Sequence, residues 1–156
     1  MKVELANPFI KSAIDIFQAE TGVKLTRKDL KIKPAPIPTL PVSVIIGVTG
    51  AVRGQVCYSM DDNFAYELAK AMLPGKLPVD VKKHTNSAVS EMANMITGQA
   101  SIALAGDDYI VHITPPAVFS GRGISVDFLN VPTIAISFIS EIGVLEINIA
   151  LTEQGV

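Results

Sequence analysis

Residues 81–106, VKKHTNSAVSEMANMITGQASIALAG, lie in the longest run of the chain without a proline, and they sort by position. At about 100° per residue, Val89, Met92, Ala93, Ile96, Ala100 and Ala103 gather on one side. Ser87, Glu91, Asn94, Gly98 and Ser101 gather on the other, within about 60–80° of one another. The spacing predicts one amphipathic helix, with an apolar face for a core and a narrow polar stripe turned outward. The centre of that stripe has no lysine or arginine, only a carboxylate, an amide, a hydroxyl and a glycine. A solvated helix face is the plain reading. Two residues argue for more. Asparagine prefers caps and turns, yet Asn94 falls mid-helix, and Gly98 on the same face costs about 0.5–1 kcal/mol against alanine. A helix that accepts both on its exposed side makes room for something to approach closely.

The rest of the chain bounds what that something can be. With 156 residues, 49% of them apolar and 18% charged, the sequence predicts one folded domain, residues 1–156, large enough to bury a core. No apolar run reaches the roughly 18 residues a membrane span needs, and MKVELANPF lacks the sections of a signal peptide, so a cytoplasmic protein without membrane contact is expected. Cys57 is the single cysteine, which rules out an internal disulfide. A net charge of −2 and few aromatic residues make nucleic acid a poor fit as partner.

Taken in order, residues 4–21 have helical spacing. Asn7 is the expected N-cap, Pro8 sits in the first turn, Phe9, Ala13, Ile16 and Phe17 form the apolar face, and Gly22 is the stop. Residues 34–41, PAPIPTLP, read as a connector into an edge strand rather than as a proline-rich ligand for an SH3-type partner. Residues 42–60 read as a hairpin turning at Thr49-Gly50-Ala51. Its glycines Gly47, Gly50 and Gly54 match no phosphate-loop spacing, so turns and bulges explain them, and Cys57 becomes a core residue of the return strand. Asp61, Asp62 and Asn63 open a short helix, FAYELAKAML, ended by Pro74-Gly75. The acids resemble a receiver domain's metal-binding pair, but the doubly wound pattern that would accompany it is missing, and capping accounts for them.

Asp107-Asp108 is placed in a turn and residues 109–114 in a short strand containing His112. His84, His112 and Cys57 assemble no zinc-type set. Residues 117–130 read as irregular, with Gly121-Arg122-Gly123 at a turn. Two strong strands follow, 133–140 and 144–151, each with one clearly apolar face. The fold class expected is α+β, a two-layer arrangement in which an antiparallel sheet of hairpins packs against helices and the long motif helix stays exposed.

Three pieces carry a family resemblance: Ser87-x-x-x-Glu91-x-x-Asn94 in the setting NSAVSEMANMITGQA, the glycine-punctuated hairpin VIIGVTGAVRGQVCYSM, and the terminal hairpin TIAISFISEIGVLEINIAL. With them the whole chain resembles the CheX-like members of the CheC/FliY/FliM family, bacterial chemotaxis phosphatases that act on phosphorylated response regulators. The resemblance implies a homodimer built through strand pairing and a phosphorylated CheY-like receiver as substrate. It also implies one site per chain, since residues 4–21 contain no Glu-x-x-Asn.

Hydrolysis of an aspartyl phosphate needs a water in line with the P–O bond, and what a helper protein can add is positioning. The resemblance and this chemistry together assign Asn94 to orienting the water and Glu91 to pairing with the receiver's lysine. Ser87 is then a peripheral contact and Gly98 a clearance for the docked surface. No cofactor is expected on this chain; the Mg²⁺ belongs to the receiver. A competing reading is a non-catalytic receiver-binding or flagellar-switch-type scaffold on the same fold, and retention of both Glu91 and Asn94 favours the enzyme. An unrelated α/β domain with an ordinary polar helix face is the third.

Overall fold

β-Branched runs punctuated by glycine dominate two parts of the chain, and these supply the centre of a seven-stranded antiparallel sheet. The computed structural model describes residues 3–106, 110–129 and 131–153. The elements are α1 (Asn7–Thr21), β1 (Thr26–Lys33), β2 (Ile37–Pro38), β3 (Val42–Gly50), β4 (Val52–Met60), α2 (Asp62–Met72), α3 (Pro78–Lys83), α4 (Thr85–Ala105), β5 (Val111–Ile113), β6 (Ala117–Ser120), β7 (Ser125–Val126), β8 (Thr133–Ser140) and β9 (Gly143–Glu153). Strand order is β1-β8-β9-β4-β3-β5, with β6 beside the other half of β3. The α+β class holds, with helices on an antiparallel sheet.

The two expected hairpins form. β3 and β4 pair from Val42↔Met60 to Val48↔Gly54, and β8 and β9 pair from Ile134↔Ile149 to Ser140↔Gly143. Gly54 has φ 148°, and a Cβ there would collide with the Ala150 carbonyl oxygen, so β4 can lie against β9 only because this residue has no side chain. Alternation sends Val44, Ile46, Tyr58, Ile136 and Ile147 to one face, where they are buried with Phe9 and Phe17 of α1, Phe64 of α2 and Ile96 of α4. The Phe17 and Phe64 rings lie 5.9 Å apart.

The opposite face is partly covered too. β2 pairs with β7, and Ile37 and Phe128 bury against Cys57 and Ala150. The polar residues beneath are largely matched: Leu40 N donates to Ser59 Oγ at 2.6 Å, and the Ser43 and Ser59 hydroxyls lie 3.0 Å apart.

Several expectations are corrected. Asn7 is not an N-cap: a 3₁₀ turn at Val3–Ala6 runs straight into α1, Ala6 already has helical dihedrals, and no side chain caps the junction. Gly22 does stop α1, at φ 73° with its N–H donating to the Gln18 carbonyl at 3.0 Å. The proline run leads into an interior strand, since β3 pairs with β4 on one side and β5 and β6 on the other. The edges are instead β1, a strand the sequence reading did not find, and on the far side β5 and β6. Residues 117–130 contain β6 and β7 rather than irregular chain alone. Asp107, Asp108 and Tyr109 lie outside the described residues.

Candidate functional site

The expected single helix over 81–106 is two. α3 ends at Lys83 and α4 begins at Thr85, the backbone leaving helical dihedrals at His84 (φ −105°, ψ 10°). The Thr85 hydroxyl donates to the Val81 carbonyl at 3.2 Å, and His84 Nδ1 lies 2.8 Å from the Asp80 carbonyl. The break leaves α4 free to take its own direction over the sheet.

α4 buries Val89, Met92, Ala93, Ile96 and Ala100, as its periodicity predicts. The stripe is exposed at Ser87, Glu91 and Asn94 and half-buried at Gly98. These four are separated by four, three and four residues, so successive side chains stand about 5–6 Å apart on one face. Two assignments are reversed at the C-terminal end: Ser101 is buried and Ala103 exposed. Burial of Ser101 is tolerated because its hydroxyl donates to the Thr97 carbonyl at 2.7 Å.

The rotation of α4 is fixed from below. Tyr58 on β4 is buried, and its hydroxyl lies 2.6 Å from Thr97 Oγ1. The Thr97 hydroxyl donates to the Ala93 carbonyl at 2.8 Å, so it accepts from the phenol. Burial pushes the Tyr58 phenol up from its ordinary value, and the bond to Thr97 offsets part of that. This pair was not foreseen; the available signal was a hydroxyl on the apolar side of a helix, facing a sheet that carries an inward tyrosine. Among the described residues, no hydrogen bond or ion pair engages the side chains of Ser87, Glu91 or Asn94. The inward polar groups of α4 are bonded within the chain, and the outward ones are not.

The recesses lie elsewhere. A groove of about 830 Å³ at the N-terminal end of α4 is lined by Tyr66, Val79, Lys82, Thr85 and Asn86 among others, and by none of the stripe residues. The stripe residues line none of the recesses found among the described residues and stand on an open helix face. Cys57 is buried, its thiol pushed up to about 12 by desolvation and secondarily by the Glu146 carboxylate, against a lowering bond from Ser43. A thiol held neutral in this way is no nucleophile. Among the described residues no three His, Cys, Asp or Glu side chains are grouped to hold a metal ion.

A family model described as chemotaxis phosphatase CheX matches residues 42–138, from β3 through α4 to β8. The chain belongs to this family. The CheY-P phosphatase CheX of Thermotoga maritima is 30% identical over 132 residues, 84% of each chain. The structure of the chemotaxis protein CheX from Desulfovibrio desulfuricans superposes with a TM-score of 0.85 at 26% identity, covering 97% of this chain and all of that one. A CheX–CheY–BeF₃–Mg²⁺ complex from Borrelia burgdorferi shares the fold, with a TM-score of 0.79 at 22% identity over 97% of this chain and 100% of that one.

Proposed function

We propose that this CheX-family phosphatase accelerates hydrolysis of the aspartyl phosphate of a CheY-like receiver, with α4 entering the receiver's site. The observation that carries the reading is the pair Glu91 and Asn94, one turn apart on the exposed face of α4 and bonded to nothing among the described residues. The Asn94 amide oxygen accepts from the attacking water while its NH₂ donates to a phosphoryl oxygen, holding nucleophile and electrophile in line. The Glu91 carboxylate pairs with the receiver's lysine and sets α4 over the phosphate. Ser87 is a peripheral polar contact, and Gly98 leaves clearance for the docked surface. Mg²⁺ comes with the receiver, as the composition of the Borrelia burgdorferi complex supports. The proposal extends to a single domain over residues 1–156, a homodimer formed through strand pairing, and a cytoplasmic location. No described helix is long and apolar enough to cross a membrane.

The test is the decay of acetyl-phosphate-labelled receivers in Mg²⁺ with wild type, Asn94→Ala and Glu91→Ala. Loss of one positioned polar group costs about 10²–10³ in rate, so Asn94→Ala nearly abolishes the acceleration, while Glu91→Ala also raises the half-saturating receiver concentration. Binding of phosphorylated receiver by wild type without any acceleration would make the chain a scaffold.

A further inference from the structure

Ile102 lies on the same side of α4 as the catalytic pair. It is 77% exposed, the most exposed of the large apolar side chains described, and the only exposed one of them on α4. From Glu91 to Ile102 is about three helical turns, so the two residues point within roughly 20° of each other and stand about 16 Å apart along the axis. Gly98 is one turn before Ile102. No side-chain atom of Ile102 comes within 4 Å of where a Cβ on Gly98 would stand, so the surface on the N-terminal side of the isoleucine is open.

Two observations bear independently on what covers this spot. A single exposed isoleucine is ordinary on a surface, but a glycine beside it is not. Gly98 has a helical backbone, and a Cβ at that position would meet nothing within 4 Å. Among the described residues no contact accounts for glycine there, and an approaching surface would. The second observation is continuity. The span from Ser87 to Ile102 is about 23 Å, within the width of the roughly 800 Å² each partner contributes to a standard interface. Glu91 and Asn94 are polar, and charged contacts at such a face set orientation more than affinity. Holding power needs an apolar anchor.

We propose that Ile102, seated beside the Gly98 gap, is the apolar anchor that docks the phosphorylated receiver, on a patch of that receiver adjoining its phosphorylation site. This rests on the reading of α4 as the receiver-facing helix. Ile102 touches no reacting group; it acts on how tightly the receiver is held.

The experiment measures initial dephosphorylation rate against receiver concentration, in Mg²⁺, for each CheY-type receiver of the organism that encodes this chain. Wild type is compared with Ile102→Ala, Ile102→Asp, Ile102→Leu and Asn94→Ala, each checked for an unchanged circular dichroism spectrum. Ile102→Ala is expected to raise the half-saturating concentration about tenfold, Ile102→Asp more, and Ile102→Leu to restore most of the loss. The maximal rate should fall less than threefold in all three. Asn94→Ala should do the opposite, losing maximal rate. Ile102 variants that match wild type while Asn94→Ala fails would overturn the anchor and leave the phosphatase reading standing. Variants at Ile102 that lose maximal rate at unchanged half-saturation would also overturn it. Wild type that accelerates none of these receivers would remove both.

Discussion

The contact between Tyr58 and Thr97 holds the site from beneath, and it is asymmetric in a way that can be measured. The Thr97 hydroxyl has a second partner, the Ala93 carbonyl, whereas the buried phenol has no other among the described residues. Tyr58→Phe therefore leaves no polar group stranded and should cost about 1 kcal/mol, the net value of one hydrogen bond. Thr97→Val strands the phenol and should cost about 1–3 kcal/mol. Chemical denaturation of the two variants decides it, and equal costs would mean the phenol finds a second partner. At this scale the outward residues of the site were legible and the inward ones less so. The outward placement of Glu91 and Asn94 follows from period alone; their roles come from the family resemblance. Ser101 does not, because a serine that donates to its own helix's carbonyl four residues back can be buried as readily as it can be exposed.

Among the elements, α4 is the one whose sequence contradicts its stability. Gly98→Ala meets open space and has no positive φ to oppose it, so it should stabilise the protein by about 0.4–1 kcal/mol. The same methyl group fills the clearance beside Ile102, so the half-saturating receiver concentration should rise. A variant gaining stability with docking unchanged would mean the gap faces only solvent. The strong hairpins β3–β4 and β8–β9 were readable because each alternates against one buried face. β1 was not, since TRKDLKIK carries five charged residues in eight and only Leu30 is half-buried among its apolar residues. Lysines on an edge strand suppress pairing with other chains, and that role erases the apolar pattern by which strands are recognised. The α3–α4 break was hidden because it lies in the backbone of one residue, His84, which the apolar period does not encode.

For the whole molecule, the two faces of the sheet make stability depend on alkaline pH. One face buries the Tyr58 phenol under the helices, and the other buries the Cys57 thiol under the β2–β7 arm, on neighbouring positions of β4. Both groups are held protonated in the folded state, the thiol up to about 12 from an ordinary 9.0 and the phenol upward from 10.0, each chiefly by desolvation. The sign follows from which state keeps its proton. Below pH 9 both states are protonated and the stability is intact. Above it the unfolded chain loses the thiol proton while the folded one retains it, so stability falls as pH rises. The slope approaches about 1.4 kcal/mol per pH unit for one group and steepens above pH 10, where the unfolded phenol ionises as well. Urea midpoints between pH 8 and 11 should therefore decline from about pH 9 in wild type, whereas Cys57→Ala, whatever its stability at neutral pH, should hold its midpoint until about pH 10. Identical onsets in the two proteins would show that the thiol is not held protonated by its burial. A thiol reagent added at pH 8 offers the same reading by another route: it should label Cys57 at the rate of unfolding, because the β2–β7 arm and the sheet must separate before a thiolate can form.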